Sequence, residues 1–528
     1  MALPVRVETW FNGAMEILIS RNPRDGSVLR EIPKTSPNEL PKVFERAARA
    51  QELWSKTPIR QRAKKLMHLR DVLARKVDAI AEVIHLENGK PVIEAHICEL
   101  LPSLELLTFF AGVAPKALKD KPIAMRNPFM RYRKSFLTYW PLGTVAVIAP
   151  WNYPFFLAFG DIAVAVLAGN SVVFKPSEYT SRVGQVIQEL FDEAGFPRDL
   201  VQTVYGEGDL GAAMIDQKPA KVFFTGSVRT GKAIMKQASQ YLIPVTLELG
   251  GKDAMIILPD ADLDYASSAA LWGGYTNSGQ VCASVERLIV HEEIARDFAM
   301  KLKEKIALLT PDVELGVATM DRQKLIYEEH LKEAKEKGAE FYCGGILSSD
   351  RTRMLPTLVG GPDIENLRIY NEETFGPVIA MTTYRTIPEA IEKANRSPYG
   401  LLASVITKNI SLGEEIAREL HVGSVMVNEV LFSAGLPETP WGGLKDSGFG
   451  RKHSELGIYE FLNVRHINKP RFGFLRFKSW WWFPYTDLQK DFFRSWIQMY
   501  QGGIIDKMVH LPHFLWSLVK FLKDDRRI

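Results

Sequence analysis

Between residues 144 and 247 five short apolar runs alternate with stretches of helical spacing. The runs are 144–149, 171–174, 201–204, 222–224 and 245–247, and the helical stretches are 154–167, 182–194, 210–216 and 231–239. Alternation of this kind predicts an α/β fold, a parallel sheet with helices on both faces, which is the plan that binds dinucleotides. No G-x-G-x-x-G follows the first run, so the usual dinucleotide fingerprint is missing.

Three further stretches carry chemistry. Gly279-Gln280-Val281-Cys282-Ala283-Ser284 places one cysteine among small residues. Leu247-Glu248-Leu249-Gly250-Gly251-Lys252 sets a glutamate before two glycines, and Pro150-Trp151-Asn152-Tyr153-Pro154 holds an asparagine between two prolines. A thiol, a carboxylate and an amide donor are the parts needed to attack a carbonyl. The thiolate adds to carbon, the amide N–H steadies the oxyanion, and the carboxylate handles protons and water. Taken singly, each has a bland reading: a core cysteine, a turn at Gly-Gly, a loop at Asn.

Seven motifs in order give the chain a resemblance to the NAD(P)-dependent aldehyde dehydrogenases. They are the three stretches above, Lys175-Pro176-Ser177-Glu178, Phe224-Thr225-Gly226-Ser227 with Gly231, Glu372-Glu373-Thr374-Phe375-Gly376-Pro377, and Gly442-Gly443-Leu444-Lys445-Asp446-Ser447-Gly448. The likeness runs from about Asn38 to about Asn468 and leaves the last sixty residues or so outside. It implies a Rossmann-type cofactor domain over 1–121 and 141–249 and an α/β catalytic domain over 250–455. It also implies oligomerisation strands over 122–140 and 456–469, followed by a C-terminal extension over 470–528.

The resemblance further implies the site. Cys282 is the nucleophile, Glu248 the base, Asn152 an oxyanion donor beside the Cys282 N–H, and Lys175 is counted with them. The cofactor lies against Ile148, Pro150, Trp151, Leu249, Gly226, Gly231 and Ser227, the last facing the pyrophosphate. Lys175 and Glu178 take the adenine-side ribose, and Glu373 and Phe375 the nicotinamide ribose. From the residues alone, Lys175 and Glu178 read equally as a solvated pair on a loop. Glu178 stands where a 2′-phosphate would go, which favours NAD and leaves NADP as the alternative. The implied cycle runs through a thiohemiacetal and a thioester on Cys282, which Glu248 opens to water. A free thiol has a pKa near ~8.5, so Cys282 needs activation. Rival readings are a coenzyme A-acylating enzyme, a semialdehyde dehydrogenase and a membrane-associated non-catalytic relative.

Tyr153, Leu157 and Gly160 share a helical face after Asn152. In the family that face lines the aldehyde tunnel, and relatives often carry a bulky aromatic where Gly160 stands. Trp441 replaces the usual Phe. The substrate expected is hydrophobic: medium or long chain, or aromatic.

Composition narrows the class. The chain has 528 residues, 46% hydrophobic and 24% charged, which describes a soluble protein of two or three domains. Cys98, Cys282 and Cys343 are odd in number and far apart, and the ten histidines form no ligand pattern. No disulfide framework or metal site is expected, and a reducing, cytoplasmic setting is favoured. Residues 1–13 show no signal peptide, and no apolar run long enough to span a bilayer is read. A net charge of +4 does not point to nucleic acid.

Elsewhere, residues 1–34 read as short strands and turns. Ser36 opens a helix as a cap, with Glu39 closing a capping box and Leu40, Val43, Phe44, Ala47 and Ala48 as its buried face. A second helix is read from Ile59 through Ile84, and a third from Pro91 with Cys98 in the core. In the catalytic half, strands are expected at 253–258, 287–291, 400–405 and 425–428. Helices are expected at 263–276, 295–308, 321–337 and 388–395, with 327–337 as a solvated face and Cys343 in a surface turn. The strand at 131–140 pairs, in relatives, with one near 459–467 and bridges subunits; the expected assembly is a homodimer or homotetramer.

The extension from Pro470 to Ile528 holds fifteen of the chain's aromatic residues and ten Lys/Arg against five Asp. Two readings stand: packing on the enzyme or a neighbouring subunit, which is favoured, and peripheral membrane contact. An amphipathic helix is expected after Ile504, interrupted at Pro512.

Overall fold

A computed structural model describes residues 16–127, 130–472 and 479–523. Residues 1–15, with the reading of the N-terminus, lie outside it. The chain divides into two compact units. One contains the described residues up to Lys119 together with Tyr139–Val464; the other contains the described residues of 120–138 and 465–528.

The first unit holds two sheets. In the six-stranded sheet the order is Gly448–Phe449, Val245–Glu248, Lys221–Thr225, Thr144–Ile148, Ser171–Lys175 and Val201–Thr203. The last five run parallel, with Ile148 beside Lys175 and Thr225 beside Glu248. All five were legible as apolar runs. The short strand Gly448–Phe449 was not; it pairs antiparallel with Glu248 and Leu247. Chain order reverses between Thr144–Ile148 and Lys221–Thr225, so the crevice for a ligand opens past the carboxyl ends of those strands.

The seven-stranded sheet has the order Glu340–Cys343, Thr357–Gly360, Val378–Tyr384, Val285–His291, Asp253–Ile257, Leu402–Ile406 and Ser424–Val427. Only Glu340–Cys343 runs antiparallel. Cys343 therefore ends an edge strand and is not in a free turn, and Ser424–Val427, read as buried, is a half-buried edge. In the helix Asp321–Glu336 Tyr327, His330, Leu331 and Ala334 are buried, so the charged run there covers only one of its faces.

The Ser36–Glu39 capping box is present. It opens a short 3-10 turn before the helix Leu40–Trp54, in which Ala48 faces solvent. The long second helix is in fact two, Ile59–Ala74 and Val77–Asn88, broken at Arg75 and Lys76. After Pro91 the chain runs Val92–Ala95, a π turn His96–Leu100 and Leu101–Ala117. This continuous stretch, Val92–Ala117, is long and apolar enough to cross a bilayer, contrary to the sequence reading. It packs in the core instead: Leu106, Leu107, Phe110 and Ala114 are at most 2% exposed, in one cluster with Leu66, Phe159 and Ile162.

The second unit carries most of a three-stranded sheet, ordered Leu462–Pro470, Arg133–Pro141 and Lys121–Ile123. Asn468 Nδ2 donates to Ser135 Oγ (2.6 Å), and Arg471 N–H to the Tyr132 carbonyl (2.8 Å). Beyond it two helices, Asp487–Gln498 and Ile504–Leu522, pack as a hairpin. Phe492, Phe514 and Phe521 form its core with Trp480, Phe493 and Trp496. Phe492 and Phe521 stack at 4.6 Å. The second helix continues through Pro512.

Phe492 is fully buried at the centre of this small cluster. Phe492→Ala should therefore cost about 3–5 kcal/mol locally. Limited proteolysis should then cut the segment after residue 479 early while the first unit resists; equal resistance in parent and variant would show that Phe492 does not hold the hairpin.

Candidate active site

The loop bearing Cys282 follows the helix Leu263–Tyr275 and a turn in which Asn277 and Ser278 take left-handed backbone (φ 48° and 53°). Such backbone persists only where surroundings over-determine it, and here they do. Glu94 accepts from the Asn277 N–H at 2.9 and 3.0 Å and from Thr276 Oγ1 at 2.8 Å. Gln280 Nε2 donates to the Asn277 and Val317 carbonyls, and its Oε1 accepts from the Thr319 N–H at 3.0 Å. A Cβ on Gly251 would strike the Cys282 carbonyl, so the Gly-Gly pair lets the two loops touch.

Asn152 is fixed on the facing side. Its carbonyl accepts from Lys90 Nζ (2.9 Å) and Asn277 Nδ2 (2.9 Å). One N–H of its side-chain amide goes to the Gln280 carbonyl at 3.0 Å, and the amide carries a second N–H that a ligand could accept from. Lys90 is fully buried, bonded to Glu99 Oε1 at 2.6 Å and lying 3.9 Å from the Tyr153 ring centroid. Glu99 Oε2 accepts the N–H groups of Phe155 and Phe156 at the start of the helix Phe156–Ala168. Glu94, Lys90 and Glu99 were not singled out in the sequence. Their only signal there is charged residues inside an apolar helical pattern.

Glu248 ends its strand 4% exposed, and its Oε1 has no hydrogen-bond partner among the described residues. Burial pushes its carboxyl up to about 8, with Asp161 adding to the rise and Lys452 opposing it. A carboxylate poised near neutral pH is suited to accept and return a proton. Burial also pushes the Cys282 thiol up, helped by Asp253, Glu248 and Glu373, while the Ala283 N–H pulls it down. The resting sulfur is therefore a thiol and needs a base.

The residues assigned to a dinucleotide gather at the carboxyl ends of the parallel strands. Ile148 and Lys175 end adjacent strands, and both approach Gly211. Lys175 is 4% exposed, with its Nζ 3.2 Å from the Pro176 carbonyl and 3.8 Å from Glu178 Oε2; burial lowers its pKa. A buried ammonium with so few oxygen partners suits ribose hydroxyls. Ser227 caps the helix Val228–Ser239, whose exposed N-terminus suits a phosphate. Gly231 leaves the space that Leu249 fills, and Gly226 N–H bonds the Glu248 carbonyl at 3.0 Å. Trp151, following Pro150, meets Phe375 edge to face at 5.4 Å. Glu373 accepts the Gly251 N–H at 3.0 Å and fills the place a Cβ on Gly250 would need. Its carboxyl is raised to about 8 by burial and by Glu286, which holds Lys252 and the N–H groups of Thr374 and Phe375. The set fits a dinucleotide.

A cavity of about 450 Å³ also reaches Cys282. Tyr153, Leu157, Gly160 and Trp441 all line it, as do Cys98 and Phe461. Cys98 is thus not simply core: it shares the cavity with Cys282, though burial holds its thiol up at about 12. A Cβ on Gly160 would stand 3.2 Å from Leu106, so that glycine also serves the close approach of two helices.

The model of the aldehyde dehydrogenase family matches residues 10–467. A 4,4'-diapolycopene aldehyde oxidase of Methylomonas sp is 37% identical over 495 residues, covering 92% of each chain. A match that long continues past residue 467 into the C-terminal segment. A succinate semialdehyde dehydrogenase of Escherichia coli (strain K12) is 33% identical over 460 residues, covering 86% of this chain and 98% of the relative. The crystal structure of betaine aldehyde dehydrogenase from Staphylococcus aureus in complex with NAD+ superposes with a TM-score of 0.82 at 32% identity, covering 87% of this chain and 93% of that one.

Lys90→Met leaves Glu99 buried without its cation. Breaking such a pair should cost about 3–5 kcal/mol, seen as a lower midpoint in urea unfolding followed by tryptophan fluorescence. An unchanged midpoint would mean that Glu99 and the Asn152 loop are held without Lys90.

Proposed function

The chain belongs to the aldehyde dehydrogenase family, and from that premise we propose that it oxidises a hydrophobic aldehyde, medium or long chain or aromatic, to the carboxylic acid with NAD, or NADP, as acceptor. That it is an aldehyde dehydrogenase follows from the family. The cavity at Cys282 supports the finer reading. Phe110, Phe156, Leu157, Val164, Phe432 and Trp441 are among its walls. A small dicarboxylic semialdehyde would need a cation for its far carboxylate. Lys452 is already bonded to Asp161 (2.6 Å), and Arg451 Nη1 to the Gly443 and Gly450 carbonyls. The 4,4'-diapolycopene aldehyde named for one relative lends the same support.

In this reading Glu248 takes the thiol proton and Cys282 Sγ bonds to the aldehyde carbon. The new oxyanion accepts from the second Asn152 N–H and from the Cys282 N–H. A bound nicotinamide dinucleotide supplies the two-electron acceptor. Lys175 and Glu178 would hold its adenine-side ribose, Ser227 its phosphates, and Glu373 and Phe375 the nicotinamide end, beside Ile148, Pro150, Trp151, Gly226, Gly231 and Leu249. Glu178 in that place favours NAD. Once the acyl group is on Cys282 and Glu248 has released the thiol proton to solvent, Glu248 takes a proton from water, the hydroxide adds to the thioester carbon, and the C–S bond breaks to free the acid and the sulfur. A base poised for water argues against transfer to coenzyme A. The domain boundaries implied by the resemblance belong to the same reading. So does a homodimer or homotetramer joined through Leu462–Pro470, a largely exposed strand at the edge of its sheet.

Purified protein with NAD and a long-chain aldehyde, without coenzyme A, should form NADH, and Cys282→Ala should abolish it. Because Glu248 must be ionised to act as a base, turnover should rise with pH toward about 8. Glu248→Gln should remove that limb, slow the initial NADH burst because the thiol loses its base, and slow steady turnover further because water loses it too. Steady turnover that falls no further than the burst would overturn the hydrolytic role.

For straight-chain aldehydes each buried methylene is worth about 0.8 kcal/mol, so kcat/KM should climb roughly fourfold per carbon over the first several. Leu157→Trp should flatten the climb. A parent that prefers acetaldehyde or succinic semialdehyde would defeat the substrate assignment.

A further inference from the structure

We propose that the C-terminal helical hairpin is a docking surface for anionic lipid bilayers, independent of which aldehyde the enzyme oxidises. The helix Ile504–Leu522 buries one side against its neighbour through Phe514, Ser517 and Phe521. The opposite side is also apolar and lies in solvent. Ile504, Ile505, Met508 and Val509 are 68–79% exposed, and Leu515, Trp516, Val519 and Leu522 are each about half exposed or more. At 3.6 residues per turn these positions occupy one continuous face. Contiguous exposed apolar patches of this kind mark interaction sites.

The charges select the occupant. At the margins of the face stand Lys507 and Lys520, the latter with Nζ 3.8 Å from the Trp516 ring centroid. Beside the hairpin, Trp481, Trp482, Phe483 and Tyr485 are 50–78% exposed, the residue types that favour the headgroup boundary. Residues 470–528 carry ten Lys/Arg against five Asp, while the rest of the chain is close to neutral. A second copy would bring the same positive charge to the contact and be repelled. An anionic leaflet attracts it, and an apolar face rimmed by lysines is the form in which helices lie in the interfacial plane.

The test is flotation of the purified full-length chain with vesicles of equal parts phosphatidylcholine and phosphatidylglycerol, against phosphatidylcholine alone. The chain should float with the anionic vesicles, lose most of this at high salt, and float little with the neutral ones. Ile505→Asp with Val509→Asp, both exposed, should weaken flotation about a hundredfold while helicity and turnover of a water-soluble aldehyde stay at parent values. Trp482→Ser, a milder change on the same surface, should weaken it about tenfold. A parent that stays at the bottom with anionic vesicles, or a double variant that floats equally well, would overturn the proposal. So would a double variant whose mass by light scattering drops by half, since a second copy would then cover the face.

Discussion

Three buried carboxylates on two successive helical stretches, Val77–Asn88 and Val92–Ala117, hold the first unit together around its site. Glu87 takes the N–H groups of Arg182 and Val183, Glu94 those of the Cys282 loop, and Glu99 those that open the helix after Asn152. Each sits where unpaired backbone donors would otherwise be buried, which is costly. Glu94 and Glu99 are five apart, and in an α-helix they would lie about 140° apart around the axis. The π turn His96–Leu100, whose bonds run i to i+5, brings both inward. The Cys282 loop and Asn152 are thereby referred to one rigid rod, and their spacing is set by the backbone of that rod.

This explains which parts of the molecule were legible. The parallel strands showed because each is a short apolar run, and the Cys282, Glu248 and Asn152 stretches showed because glycine and proline punctuate them. The π turn has no residue signature. Ile93, Ile97 and Leu101 are exposed while Glu94 and Glu99 are buried, so hydrophobic periodicity pointed the wrong way. The break after Ala74 was hidden because Leu73, Val77 and Ile80 keep helical spacing across it. Pro512 misled in the opposite sense. A proline inside a helix is expected to interrupt it, yet Ile504–Leu522 continues through Pro512, with Phe514 and Phe521 packed against Phe492 on the far side. Tertiary packing decided each of these cases.

Electrostatics around the thiol follow from the same burial. Glu248 and Glu373 are both raised to about 8, and each helps to hold the Cys282 thiol up. Near neutral pH the site thus keeps sulfur and both carboxyls largely protonated and nearly uncharged. A thiolate formed next to an ionised Glu248 would be repelled; one formed by passing its proton to Glu248 would not. In the proposed cycle, activation of the sulfur would load the base, which must shed that proton before it can activate water.

The apolar cavity contains charged residues, and its character depends on how they are paired. Lys452 Nζ bonds Asp161 Oδ2 at 2.6 Å and Thr225 Oγ1 at 3.1 Å, with both charged side chains 9% exposed. Their effects on Glu248 are opposite in sign, Lys452 lowering and Asp161 raising its pKa. The pair's hydrogen-bonding capacity is largely spent internally, so a polar substrate group would have to displace a bond to use either residue. An alkyl or aromatic group displaces none and gains contact with Phe156, Leu157 and Trp441. The proposed preference for hydrophobic aldehydes would then rest on the self-sufficiency of this ion pair as much as on the aromatic walls.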